Sequence, residues 1–516
     1  MEGRRTAFAL TLIILVSFAV YFNSLFGEFV YDDASQIVDN PWIKDIRRIP
    51  DLFLKDVWAF RSAMLGLSFH EPSNYYRPLM GLNYMLDYRI FGLRPWGFHL
   101  NNVVMHAAVS VVVFLLLREL LRLSGAGRPL DIAFAAAVLF AVHPIHTEAV
   151  AWLGCIPETT FTLFYLLSLL FYIRGRPLVS AGFFFVSVLY KETALTLPLL
   201  LVAYDVLFRE RPGRFSPSVL GRYLPYAAII AVYLLLRVNA IGGFAAVKRH
   251  AYLSNWQYFI NVFPLFAGYI GKLILPVKLN AHYIFHPVYS IYELKGIVSL
   301  LFTLAVAVAA FGLRRERPAL LGFLLMLIGL LPVLYIPALG ENTFAERYLY
   351  LPSVGFVLIV SVFPAGLSRM GRAALLVFVS VAVVYSLQTV RRNFVWKNNF
   401  TLWSDTVLKS SDSYIAHGEI GLAYHERGQI DEAVKHYKAS IDLRPNYEPY
   451  HNNLGNAYMQ MGLYDAAIRH YSLSIAINPY ALESYYNISL AYRAKGWDAM
   501  ADEYLRKLEG LRAPPQ

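Results

Sequence analysis

Apolar residues along this chain come in long blocks, without the short alternation of a half-buried sheet. From Ala7 to Phe26 the run is nearly unbroken. Comparable blocks fall at 98–121, 131–150, 159–175, 178–192, 193–208, 223–242, 297–313, 318–338, 349–366 and 373–391. Blocks of roughly 17–25 apolar residues can cross the hydrocarbon layer as helices, so the pattern predicts an all-α domain of about eleven transmembrane spans over 1–391. The pair at 178–208 is short for two crossings, and Lys191-Glu192 marks its turn. Segment 255–276 is apolar but interrupted by Gln257, Asn261, Pro264 and Lys272, so its pattern alone does not say whether it crosses.

Past Arg391 the pattern changes. Residues 392–413 are polar, with Trp396 and Trp403 suited to a linker at the membrane interface. From Tyr414 to Gln516 a period of 34 residues takes over: Gly421, Gly455 and Ser489 are in register, as are Tyr424, Tyr458 and Tyr492, then Ala433, Ala467 and Ala501, then Tyr437, Tyr471 and Leu505. Pro445 and Pro479 close the first two units. That period, with small residues where helices approach and tyrosines in the groove, predicts three tetratricopeptide repeats over 414–516, the minimum for a stable stack. Their ordinary role is docking a peptide or a partner.

Arginine placement orients the spans, because cytoplasmic loops are enriched in Lys and Arg. With Arg4 and Arg5 inside, alternate loops carry Arg118, Arg122 and Arg128, then Arg174 and Arg176, then Arg209, Arg211, Arg214 and Arg222. Arg314, Arg315 and Arg317, and later Arg369 and Arg372, join the same side only if 255–276 does not cross. That segment is therefore expected to be re-entrant or interfacial, with the repeats outside. Composition agrees: the chain is 57% hydrophobic and 16% charged, against about 25% charged in soluble domains. The net charge of +11 is accounted for by these flanking arginines and implies no nucleic acid. Cys155 is the one cysteine, so neither an intrachain disulfide nor a thiolate cluster can form. Residues 1–26 lack a small-x-small cleavage site and read as an uncleaved signal anchor.

This topology puts most unusual polar groups on the outer face. They are Asp32 and Asp33 with the long loop 27–97, including Arg77; His143, His146 and Glu148; Lys191 and Glu192; His282; and the run Glu341 to Arg347 with Glu346. Ionisable groups at membrane depth are functional candidates. Two adjacent carboxylates can divide the work of a general base, one accepting a proton while the other orients it. They can equally cap the next helix. His143 and His146, three apart with Glu148 nearby, suggest zinc. The spacing is not HExxH, Pro144 interrupts the helix and no cysteine completes the set, so no metal is expected. Arg77, Lys191, Arg347 and His282 supply cationic donors suited to a lipid-linked phosphate or, singly, to ordinary headgroups.

Several stretches together resemble the transmembrane and tetratricopeptide-repeat protein O-mannosyltransferases of the GT-C class. They are FVYDD (29–33), YRPL (76–79), PWGFHLNNVVMHA (95–107), AVLFAVHPIHTEAVAW (137–152), YKETALTL (190–197), AYDVLF (203–208) and AERYLYLPSVGF (345–356). The resemblance implies an inverting membrane glycosyltransferase that moves a sugar, mannose in characterised relatives, from a polyprenyl-phosphate carrier to a protein Ser or Thr hydroxyl. It places the general base on Asp33 or Asp32, with Asp33 preferred. The carrier phosphate falls on Arg347, then Lys191 and Arg77, with His143, His146, Glu148, Glu192, His282 and Glu346 around the pocket. At 154–158 the chain reads GCIPE where relatives usually have GRAD or GRAE. The lipid-linked donor, an acceptor protein or peptide docked by the repeats, and membrane lipids are the implied partners. The implied site is a bacterial inner membrane with periplasmic repeats, or an endoplasmic reticulum with lumenal ones. A glycan or lipid acceptor, a membrane-anchored repeat scaffold and a transporter are the alternatives; the polar groups cluster at one face and no inverted repeat is evident, against a transporter.

Overall fold

Proline sets where many of the helices begin. In the computed structural model, which describes residues 2–65, 73–209, 221–243, 252–336, 343–366 and 371–512, the helices Pro78–Phe91, Pro95–Leu123, Pro129–Val142 and Pro177–Tyr190 each start on a proline preceded by arginine. Proline has no N–H to lose at the first helical position and its fixed φ suits the helix. Arg211, Arg214, Glu341 and Arg369 lie outside the described residues. The described residues are helical, with no strand among them.

Two compact units are distinguished. The first comprises 1–57, 73–279 and 285–397. Among its described residues seven helices are long and apolar enough to cross a membrane: Glu2–Phe26, Pro95–Leu123, Leu153–Ile173, Leu224–Ile241, Leu294–Arg315, Arg317–Leu334 and Leu375–Lys397. An eighth candidate is the pair Pro129–Val142 and Pro144–Ala151, bent by 48°. Three of the expected crossings are shorter. Residues 178–192 form the helix Pro177–Tyr190, whose 14 residues reach about 21 Å. Residues 193–208 divide between the turn Glu192–Thr196, the helix Leu197–Tyr204 and the wide turn Asp205–Arg209. Residues 349–366 give the 17-residue helix Tyr350–Gly366. Apolar content is the same in a span and in a broken, protein-packed segment, so run length alone does not set the count.

Segment 255–276 forms the helix Asn255–Ile274. Ile260, Leu265, Phe266, Tyr269, Ile270 and Leu273 are buried along one face, while Trp256 and Phe259 are exposed. By contrast Leu294–Gly312 exposes Leu294, Val298, Leu301, Leu304, Val308 and Phe311. An unbroken apolar face of this kind needs lipid, and the first unit is that of an integral membrane protein.

Inside the unit Pro95–Leu123 is central, burying Phe98, Val103, Val109, Val113, Phe114 and Leu117. Arg317–Leu334 and Tyr350–Gly366 meet through glycine: a Cβ on Gly355 would come within 2.2 Å of the Gly322 carbonyl oxygen. Small residues at such a crossing let the backbones approach. The first and last long helices are stapled at one end. Asn23 Nδ2 donates to Val390 O at 2.9 Å, Asn393 Nδ2 donates to Val20 O at 2.8 Å, and the Glu28 N–H donates to Lys397 O at 2.8 Å.

The second unit comprises 58–72, 280–284 and 398–516. Residues 398–413, expected as linker, contain the helix Asn399–Lys409, opened by a reciprocal Asn398–Thr401 cap. Three hairpins follow: Tyr414–Glu426 with Ile430–Leu443, Glu448–Gln460 with Tyr464–Ile477, and Leu482–Ala494 with Asp498–Arg512. The left-handed Gly428, Gly462 and Gly496 end the first helix of each. A Cβ on Gly455 would fall 2.5 Å from the Tyr471 ring, which explains why the third unit can carry Ser489 only where the facing residue is Leu505. Both linker tryptophans are buried in protein, Trp396 in the first unit and Trp403 in the second.

Replacing Gly355 by leucine forces two backbones apart. It is expected to cost about 3 kcal/mol, as overpacking does, and to lower the melting temperature of the detergent-solubilised protein. An unchanged melting temperature would contradict this packing.

Candidate active site

Tyr31 has φ of 55°, in the left-handed region. A bulky side chain holds that conformation only under tertiary restraint, at a cost of order 1–3 kcal/mol. Its ring lies 5.2 Å from that of Trp152. Asp32 and Asp33 follow directly. Asp33 precedes the short wide turn Ala34–Val38 but makes no side-chain capping bond, so it does not cap that turn. Its Oδ1 instead accepts the N–H of Gly154 at 2.8 Å and its Oδ2 that of Val30 at 3.0 Å. The carboxyl group thereby cross-links positions 121 residues apart. Asp33 is fully buried. Burial raises its pKa to about 8, against the opposing pull of those two N–H groups. Asp32 is half-exposed.

Gly154 fits this arrangement because a Cβ there would stand 2.8 Å from the Trp152 ring. Trp152 in turn stacks on Trp396, with centroids 5.8 Å apart and planes 15° from parallel. The guanidinium of Arg347 lies 5.4 Å from the Trp152 centroid. One indole thus stands beside both the acid-pair loop and the preferred phosphate-binding arginine.

Around Arg347 three ion pairs converge. Arg347 bonds the buried Glu148 through Nη1, and its backbone N–H donates to the other Glu148 oxygen at 2.8 Å. Lys191 pairs with Glu158, both nearly inaccessible. Arg77 grips Glu192 with Nη2 at 2.9 Å and Nε at 3.3 Å. The Tyr348 ring joins two of the pairs, 4.9 Å from the Arg347 guanidinium and 5.1 Å from the Lys191 ammonium. The field of Glu158 acts on both Arg77 and Arg347. Cys155 is buried within the field of Glu148, Arg347, Glu158 and Lys191. The cluster has three cations and three carboxylates, so it presents little net charge. Arg77 spends two guanidinium nitrogens on Glu192, whereas Arg347 spends one on Glu148 and is the better placed to take a further anion.

Other sequence candidates go elsewhere. Proline at 144 drives His143 into extended backbone. His143 Nδ1 then accepts the Ile145 N–H at 3.2 Å, and its Nε2 lies 3.1 Å from Leu273 O. His146 is buried with Nε2 2.8 Å from Ser353 Oγ, among the rings of Phe140, His106 and Tyr350. Both histidines are thus engaged by protein. Glu346 is buried on the turn Glu346–Leu349 that carries Arg347. His282 belongs to the second unit, 3.1 Å from Ser413 Oγ. No three His, Cys, Asp or Glu side chains stand together as a metal-ligand set among the described residues. Sequence reasoning did not single out Trp152, Gly154, Glu158 or Tyr348 as site residues. Glu158 could have been suspected, as a carboxylate opening an otherwise apolar span.

The TPR repeat family matches residues 421–462, and tetratricopeptide repeats match 449–480 and 482–514. Over most of its length the chain is similar to proteins named protein O-mannosyl-transferases. It is 28% identical to F38B6.6 of Caenorhabditis elegans, covering 85% of this chain and 63% of that protein. It is 26% identical to TMTC3 of Mus musculus, with 84% and 51% covered, and 25% identical to TMTC1 of Homo sapiens, with 86% and 56% covered. The chain therefore spans between half and two thirds of the length of these relatives.

Glu148→Gln leaves Arg347 buried against a neutral amide. The loss is expected to be about 3–5 kcal/mol, with much of it recovered in a Glu148→Leu, Arg347→Met double variant, since removing both charges of a buried pair costs far less than removing one. Denaturation of the purified variants measures both. A second prediction concerns pH. The folded protein keeps a proton on Asp33 from the ordinary value of 3.8 up to about 8, so the stability this gives is complete at acid pH and lost as pH rises through that window. The melting temperature of the protein relative to its Asp33→Asn variant should fall between about pH 5 and about pH 8. A constant difference would remove the raised pKa.

Proposed function

We propose that this chain is a membrane glycosyltransferase that moves a mannose-like sugar from a polyprenyl-phosphate carrier to a Ser or Thr hydroxyl of an acceptor protein, with inversion. The observation that carries the reading is the placement of the acid-pair loop and Arg347 on one indole, Trp152. The relatives' names support the sugar and the acceptor class.

The acceptor oxygen attacks the anomeric carbon as its proton passes to a carboxylate. The bond from that carbon to the carrier phosphate breaks, and its electron pair leaves on the phosphate oxygen. Fixed cations stabilise that developing charge without reorganising. Within the pair we assign the proton acceptor to Asp32. The sequence favours Asp33, but Asp33 is sealed and already holds two backbone N–H groups, whereas Asp32 is half-exposed on the same turn. Asp33 keeps the loop in place. Arg347 receives the phosphate, with Lys191 supplying field from behind Tyr348. In this reading the carrier enters sideways from lipid and the repeats bring the acceptor segment.

In vitro transfer from polyprenyl-phosphate mannose to a Ser/Thr peptide tests this. Asp32→Asn should lower the rate by about a thousandfold, the scale of a lost general base, while the protein stays folded and membrane-inserted. Full activity in Asp32→Asn, in Asp33→Asn and in the double variant would sink the assignment.

A further inference from the structure

Two histidine pairs recur in the repeats at the same spacing. His417 faces His436, and 34 positions on, His451 faces His470. Each pair spans the two helices of one hairpin. The rings meet Nδ1 to Nδ1, at 3.0 Å in the first pair and 3.2 Å in the second. In both, the far nitrogen of the first histidine is tied to a backbone carbonyl: His417 Nε2 lies 3.0 Å from Ser411 O and His451 Nε2 lies 2.8 Å from Pro445 O. Those bonds fix the proton on Nε2 and leave the Nδ1 lone pair aimed across the hairpin. Anchoring the outer N–H on a carbonyl while the other nitrogen points inward is how a metal-binding histidine is oriented.

From these features we infer that each pair is a bidentate site for a divalent late transition-metal ion of the Zn, Ni or Cu class. Bonds of about 2.0–2.1 Å put two nitrogens roughly 3.3 Å apart on a tetrahedral ion. A square-planar ion brings neighbouring nitrogens to roughly 2.8 Å. The observed separations lie between, while ring centroids 5.3 and 5.5 Å apart set the two lone pairs almost in line, so the rings turn toward the ion on binding it. The ion replaces the single proton between the facing Nδ1 atoms: the second histidine releases it from Nδ1 as it takes one up on Nε2, so both rings stay neutral and no proton is lost on balance. Water completes the coordination shell.

The third hairpin bears on this from another side. At the equivalent positions it carries Tyr485 and Tyr504, whose rings stand 6.2 Å apart. The scaffold therefore accepts tyrosine at both positions, and the histidines at the first two are not required by the hairpin. The pairs differ in their surroundings. Glu432 and Lys435 act on His436, whereas two cations, Arg469 and Lys438, act on His470. The first pair should bind more tightly.

The test is equilibrium dialysis and calorimetry of the full detergent-solubilised chain with Ni²⁺ or Zn²⁺ alone. The expected result is two ions per chain. One is lost in His417→Tyr with His436→Tyr, the other in His451→Tyr with His470→Tyr, and both in the fourfold variant, with helical signal and melting temperature preserved in each. The ion removed by the first double variant should be the tighter, by several-fold in Kd. A fourfold variant that keeps its two ions, or a folded parent chain that binds none at micromolar metal, overturns the inference.

Discussion

The ion pair between Glu148 and Arg347 is the contact on which the rest of the candidate site depends. It joins positions 199 residues apart, with Glu148 fully buried and Arg347 largely so, so its geometry has to be good to offset their desolvation. Glu148 meets the backbone of residue 347 as well as its side chain, so the turn Glu346–Leu349 is held in place and orientation. From there the arrangement extends in two directions. Through Trp152 it reaches Gly154 and the acid pair; through Tyr348 it reaches Lys191 and Glu158.

Strain and burial are concentrated at the same place. Tyr31 is held in an unfavourable backbone region, Asp33 is buried, and Gly154 admits no side chain. Each is unfavourable or restrictive alone, and each is tolerated because the others determine its surroundings. Sites with this character keep their geometry before any ligand arrives, as electrostatic stabilisation of a transition state requires. The surrounding helices provide the complementary condition, a low-dielectric wall in which a few fixed charges act strongly.

Much of the fold was legible because it rests on local signals. Long apolar runs announce membrane helices, and a period of 34 announces repeats whatever their surroundings. Pro144 marked the break after His143. Run length alone could not separate a lipid-facing crossing such as Leu294–Gly312 from the broken segment 193–208, because packing and lipid select the same apolar residues. Trp396 shows the same ambiguity: an amphipathic ring reads as an interface anchor, yet here it is stacked on Trp152. The acid pair was legible as unusual, and its partner Gly154 was not, because a backbone N–H has no sequence signature. Pairing of the cations was also hidden. Arg77, Lys191 and Arg347 read as free donors until folding set a carboxylate against each.

The amide staples between the first and last long helices bear on how the acid pair moves. Glu28 is bonded to Lys397, the final residue of the membrane unit, and Asp32 lies four positions after Glu28. The intervening chain is short and is pinned again at Asp33. The stretch from Glu28 to Asp33 is therefore tethered at both ends, to the close of the last long helix and to the Gly154 backbone, and Asp32 sits between the two tethers.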